Sequence, residues 1–328
     1  MSRIVYIVNP PTEIAGGIKI AFRHIEALRA AGFDAVVCTL GAIRPTWFET
    51  TAPIINAGHA LPADDILVLS EDNYGLLKRY ASVPNRKLVL CQSQYQVSKG
   101  LGGPEGRRDY AGYGVSGIIC TSNSIIDYCQ VRFPSMPLAL VPVGIDHSIF
   151  GDQREKKLQI AFIPRKRQLE AAFMWDLFSA NPDFAGIPWI VLRGATEKKV
   201  ADTLRDSALC LSLSRFESLG MTILEGMACG CVVAGFTGFG AREFTTTRNG
   251  FWADEDDCMQ CVEQLARATR MVQANGPSYQ NMVREGLKTA SLYSYERMDQ
   301  DVVAFWTGYF AGTAFPKPVG PFGPHGPY

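Results

Sequence analysis

Short β-branched, apolar runs alternate with amphipathic helical patterns along most of the chain, and this alternation limits the fold more than any other feature. "RIVYIV", "DAVVCT", "DILVLS", "KLVLCQ", "GIIC" and "LALVPV" read as strands within the first 143 residues. Helices separate several of them. In "GGIKIAFRHIEALRAAG", Ile18, Phe22, Ile25 and Leu28 recur at helical spacing and Gly32 ends the run. Strands that are apolar throughout must be buried on both faces, so helix-linked runs of this kind predict a parallel sheet covered on two sides. After a polar, charged passage around "GIDHSIFGDQREKK" the alternation restarts. "LQIAFIP", "PWIVLRG", "ALCLSLS" and "CVVAGF" are its strands, with helices expected near 166–179, 197–206 and 219–229. Beyond "NGFWADEDD" the pattern is helical only, to about residue 310, and "GTAFPKPVGPFGPHGPY" is too rich in Pro and Gly for either regular element.

The expected architecture is α/β, with two Rossmann-like, doubly wound parallel-sheet domains facing each other across a cleft. Their bounds are 1–150 and 151–293, followed by a C-terminal helix over 294–311 that returns to the first domain and a Pro/Gly-rich tail over 312–328. A chain of 328 residues with 47% hydrophobic content can furnish both cores. Ligands of such sheets sit outside the carboxyl ends of the strands, so the chemistry is expected in the loops that follow strands.

Composition excludes some functions. Thirty-two basic side chains balance thirty-two acidic ones, leaving no overall field to recruit nucleic acid. Nine cysteines scattered through hydrophobic runs fit a reducing cytoplasm, where Cys packs as a small apolar residue. The C-x-x-C pair Cys258 and Cys261 lacks the further ligands that zinc needs and is read as packing. The start of the chain reads as a first strand rather than a signal peptide, and no apolar run approaches the roughly 20 residues that span a bilayer.

The stretch "SRFESLGMTILEGMACGCVVAG", residues 214–235, places Glu217 and Glu225 in apolar surroundings, where an unpartnered carboxylate is costly. Its first residues form a loop at the end of a strand, and a helix follows that Gly230 ends. The backbone N–H groups of Leu219, Gly220 and Met221 then mark a helix start, which attracts phosphate. Glu225 lies about 12 Å further along the axis than Glu217. An elongated ligand with an anionic middle and hydroxyl-bearing ends suits that spacing, as a sugar nucleotide does.

This segment resembles the E-x7-E motif region of retaining glycosyltransferases, and the chain is similar to glycosyltransferase family 4 (group 1) and its relatives with the GT-B fold. "AGGIKIAFRHIEAL" resembles their N-terminal glycine loop and helix, "VPVGIDHSIF" the run before the interdomain linker, and "GFTGFGAREF…NGFWADEDD" the stretch that follows the motif. Together these blocks span most of residues 4–310. The resemblance implies that Glu225 binds the donor ribose and Glu217 the donor sugar. It also implies a basic pair on the donor diphosphate, here Arg165 with Lys166 or Arg167 from "FIPRKR", where the usual Gly before the Arg is missing. Such cations stabilise the charge that grows on a departing diphosphate.

Gly16 and Gly17 open the first helix and could approach the donor phosphate, while Gly238 and Gly240 in "TGFGAR" either face the sugar or form a turn. The family often has a His at a mid-sheet strand end of the first domain. Here "LVLCQSQYQ" offers Gln92, Gln94 and Tyr95 instead, and His24, His59, His147 and His325 all lie elsewhere. Glu71, in "VLSEDNY", is a further candidate for acceptor contact, against a helix-capping role for the same segment. "DEDD", residues 254–257, is read as a helix start and is assigned no metal.

The function expected is therefore retaining transfer from a nucleoside diphosphate sugar to a sugar, lipid-linked or other hydroxyl acceptor, without cofactor or metal. A sugar-nucleotide epimerase of the same fold, or a non-catalytic nucleotide-sugar-binding partner of another transferase, are the alternatives. The expected compartment is the cytoplasm. Lys99, Arg107 and Arg108, within the polar, aromatic, Gly-rich stretch 92–114, allow peripheral contact with the inner face of a membrane without requiring it. That stretch has the composition of a mobile acceptor loop.

Overall fold

A computed structural model describes residues 2–12, 15–151, 154–164 and 166–315. Two units emerge: one runs to Val143 and takes up the chain again at Glu296, and the other spans Gly144–Tyr295. The linker residues 144–150 thus belong to the second unit.

In the first unit the elements follow in the order β1 (Ile4–Ile7), α1 (Gly16–Ala30), β2 (Ala35–Thr39), β3 (Ile54–Asn56), β4 (Ile66–Ser70), α2 (Tyr74–Tyr80), β5 (Arg86–Cys91), α3 (Val97–Gly100), β6 (Val115–Cys120), α4 (Asn123–Arg132) and β7 (Leu138–Leu140). The seven strands form one sheet in the order β3-β2-β1-β4-β5-β6-β7. All its pairings are parallel. Successive strand residues point to opposite faces. Ile4, Tyr6 and Val8 accordingly pack with Phe22, Ile25 and Leu28 of α1, whereas Val5 and Ile7 join Leu77, Ile125 and Cys129 on the other face.

The second unit contains α5 (His147–Phe150), β8 (Lys157–Phe162), α6 (Gln168–Ser179), β9 (Trp189–Val191), α7 (Glu197–Asp206), β10 (Ser207–Leu213), α8 (Met221–Ala228), β11 (Val232–Phe236), β12 (Phe251–Ala253), α9 (Cys258–Ala274) and α10 (Pro277–Ser291). Its sheet has the order β12-β11-β10-β8-β9, again parallel throughout. The three-residue strands β3 and β12 are absent from the sequence reading.

The last helix, α11 (Tyr295–Ala311), buries Val302, Phe305 and Trp306 in the core that holds β1 and α1. Trp306 is fully buried, and its indole N–H donates to the Tyr6 hydroxyl at 3.3 Å. Residues 312–315 continue this packing through Phe315. The rest of the expected tail lies outside the described residues. Among the described residues, no helix is long and apolar enough to cross a membrane.

Candidate functional site

In the second sheet β8 has β9 on one side and β10 on the other, so the chain reverses its direction of winding between β8 and β10. Loops that leave the two strands there diverge and open a crevice at their carboxyl ends. The loop after β8 carries Lys166 and Arg167, and the loop after β10 carries Glu217. Arg165 lies outside the described residues.

Lys166 spans that crevice. Its ammonium donates to the Glu217 carboxylate at 2.7 Å, to the Arg215 carbonyl at 2.9 Å and to the Phe216 carbonyl at 3.4 Å. The carboxylate and the ammonium are each about one-third exposed, 38% and 32%, so the pair stands open to an incoming ligand. Phe216 sits in the left-handed region, at φ 54°. For a side chain with a Cβ this costs about 1–2 kcal/mol. The arch that results brings three oxygens onto one cation.

The loop after β11 supports the arch from the other side. Gly240 donates its N–H to the Glu217 carbonyl at 3.0 Å. A Cβ at Gly240 would fall 2.0 Å from the Ser218 carbonyl carbon, so only glycine permits this approach. Gly238 lies against Ser214 and the Glu217 Cβ. The "TGFG" loop thus braces the Glu217 backbone.

The helix after Glu217 begins later than expected. Gly220 is its N-cap, in the left-handed conformation at φ 90°, and α8 proper starts at Met221. Leu219 lies outside the helix and is buried. The helix-start donors are therefore those of Met221 and Thr222, since the Ile223 N–H already reaches the Gly220 carbonyl at 3.0 Å. Glu225 follows one turn along α8 and is half-buried.

Arg167 departs from the donor-binding expectation. Its side chain is fully buried, with the guanidinium over the Phe236 ring at 4.3 Å. It pairs with Glu255, with Asp256 at 2.5 Å and with Glu170 at 3.5 Å. The reason is spacing: Lys166 faces the crevice, and the next side chain turns under the sheet end, where carboxylates from α6 and the loop before α9 converge. Arg167 holds the Asp256 carboxyl below its ordinary value, whereas burial outweighs the same guanidinium at Glu255 and pushes that carboxyl up. Two acids of "DEDD" thus serve Arg167, and Asp257 caps α9 through the Gln260 N–H at 2.8 Å. Nothing in the sequence pattern signals this cage.

In the first unit the winding reverses between β1 and β4. Asn73, after β4, donates to Asn9, after β1, and it is Asn73 that caps α2. Glu71 does not face an acceptor: it is 4% exposed. Burial, then the charge of Asp72, push its carboxyl up to about 8, although the Gln92 and Ser93 backbone N–H groups donate to it. It therefore ties the end of β4 to the loop after β5. From that loop the Gln92 amide donates to the Gly17 carbonyl at 2.9 Å, which brings Gln92 to the glycine start of α1. Gly16 is exposed and Tyr95 is 40% exposed. The stretch 92–114 is pinned rather than loose, since Tyr110 and Tyr113 are buried in the core and the Tyr113 hydroxyl bonds the Arg107 N–H at 2.8 Å. Lys99, Arg107 and Arg108 are exposed along it. His24 is buried and far from this role: its Nδ1 meets the Tyr6 hydroxyl at 3.2 Å, and burial lowers its pKa to about 3.

Residues 170–271 match the family described as "Glycosyl transferases group 1". An α-1,6-glucosyltransferase of Actinobacillus pleuropneumoniae is 26% identical over 273 residues, which cover 80% of this chain and 81% of that one. Among solved structures, sucrose-phosphate synthase from Thermosynechococcus elongatus superimposes with a TM-score of 0.68 at 15% identity, over 95% of this chain and all of that one. The Anabaena protein HepE, crystallised with UDP-glucose, gives 0.64 at 12% identity, over 94% of this chain and all of that one. The fold is that of the GT-B glycosyltransferases. Fold and family match together support a glycosyltransferase.

Proposed function

We propose that the chain is a retaining transferase akin to glycosyltransferase family 4, moving a sugar from a nucleoside diphosphate sugar to a hydroxyl acceptor in polysaccharide, glycolipid or other glycoconjugate synthesis. The observation that carries this reading is the meeting of Lys166 and Glu217, at 2.7 Å, in the crevice beside the start of α8. A diphosphate there lies against the N–H groups of Met221 and Thr222, where the helix dipole favours negative charge. Glu217 accepts the hydroxyls of the transferred sugar, and Glu225 those of the ribose. Lys166, with Arg165 from the same loop, neutralises the charge that develops as the bond from the anomeric carbon to the phosphate oxygen breaks.

The first unit is assigned the acceptor, with Gln92 and Tyr95 as its candidate contacts. The acceptor hydroxyl attacks the anomeric carbon from the face that the diphosphate leaves, and its proton passes to the departing phosphate oxygen. Configuration is then retained without a glycosyl carboxylate. The relatives' names make glucose from UDP-glucose the first donor to try.

Incubation with a panel of labelled nucleoside diphosphate sugars and hydroxyl acceptors, followed by NMR of the products, tests the reading. Free nucleoside diphosphate and a glycoside of the donor's own anomeric configuration are expected. An inverted glycoside, an epimerised nucleotide sugar or binding without turnover contradicts it.

A further inference from the structure

Phe216 is the aromatic residue of the arch, next to Glu217. It holds a left-handed backbone, φ 54°, which glycine or asparagine adopts with less strain, and yet it is 57% exposed. An exposed phenyl ring in a strained turn is unfavourable twice over, once in the backbone and once in apolar surface left in water. The turn itself is secured without the ring, because Lys166 binds the carbonyls of residues 215 and 216 and Gly240 binds that of 217.

The ring is nonetheless held in place. The Arg215 guanidinium lies 5.3 Å from its centre. Arg215 is itself fixed by Glu170 at 3.2 Å and Asp256 at 3.7 Å. These acids belong to the cage around buried Arg167, so the ring rests on a rigid support. Next in sequence comes Glu217, the carboxylate that faces the crevice.

We propose that Phe216 is a stacking platform for the sugar ring of the donor, an inference that rests on the reading of Glu217 given above. A hexose presents polarised C–H groups on one face and hydroxyls around its edge. The negative face of an aromatic ring attracts the former, and a neighbouring carboxylate accepts hydrogen bonds from the latter. Adjacent Phe216 and Glu217 offer both partners in one arch.

The test is calorimetric titration of the Phe216→Gly, Phe216→Leu and Phe216→Trp proteins with UDP-glucose and with UDP. If the wild-type protein prefers another nucleotide of the panel, that sugar nucleotide and its free diphosphate are used. Glycine keeps the left-handed turn, and leucine keeps apolar bulk without an aromatic face. Phe216→Gly and Phe216→Leu are expected to weaken the sugar nucleotide about fivefold while leaving the free diphosphate unchanged, and Phe216→Trp to retain both affinities. Equal binding of the sugar nucleotide by all four proteins overturns the inference while leaving the donor site intact. Equal weakening of sugar nucleotide and free diphosphate assigns the ring to the nucleotide or the turn, and overturns it also. A wild-type protein that binds no member of the panel overturns the reading of the site itself.

Discussion

Substituting Arg167 by Met removes the cation at the centre of three carboxylates while keeping most of the apolar volume under the Phe236 ring. Breaking a buried ion pair typically costs 3–5 kcal/mol. Here the carboxylates of Glu170, Glu255 and Asp256 are 27%, 33% and 59% exposed, so water screens part of their repulsion. A loss of about 3 kcal/mol in urea unfolding is expected, with donor affinity unchanged as long as the chain is folded. A donor affinity that falls tenfold or more in the folded variant assigns Arg167 to the diphosphate after all. At this scale the sequence places Lys166 and Glu217 in loops that follow strands, and the structure brings the two together at 2.7 Å. The sequence is silent about Arg167. Whether a cation faces ligand or core depends on where Glu255 and Asp256 arrive, some ninety residues later in the chain, and no local pattern encodes that meeting.

Among the elements, the loop after β5 depends on a buried acid at the end of β4. Glu71 is protonated in the folded chain up to about pH 8, whereas the unfolded chain releases that proton near the ordinary carboxylate value of 4.5. Between those values the folded state binds more protons than the unfolded state. Stability therefore falls as pH rises through that window. Glu71→Gln removes the titration, and its unfolding free energy between pH 5 and pH 8 is expected to lose this downward slope. An identical pH profile in wild type and variant contradicts the assignment. The longer elements are legible from apolar period alone, as in "KLVLC" or "IAFRHIEAL". Sequence reading starts α8 at Leu219, but the observed start is Met221, because Gly220 takes the left-handed cap with a backbone that residue type alone does not reveal. The burial of Glu71 is likewise illegible: "VLSEDNY" has a capping signature, yet Asn73 does the capping and Glu71 turns inward.

Taken as a whole molecule, the chain leaves its first unit at Val143 and returns at Glu296, so the core on one face of the first sheet is completed only by the last helix. Trp306 fills the core beside Tyr6, whose ring also meets His24, and the Nε2 of His24 has no hydrogen-bond partner among the described residues. Trp306→Ala should cost about 3–5 kcal/mol and loosen the first unit far more than the second. Hydrogen exchange read separately over β1 and β10 checks this, and equal deprotection of both strands contradicts it. The two-unit α/β plan is readable from strand and helix alternation. The exact seam is not, because residues 144–150 look like linker by composition and yet pair Ile145 with Ser294 inside the second unit.

The central claim is that the crevice between β8 and β10 holds a nucleoside diphosphate sugar. Calorimetric titration of the wild-type, Lys166→Ala and Glu225→Gln proteins with UDP-glucose and the rest of the donor panel tests it most directly. Saturable binding of one donor by the wild type, weakened at least tenfold in each folded variant, is the result expected. Absence of binding to every donor, or binding of equal strength in all three proteins, contradicts it.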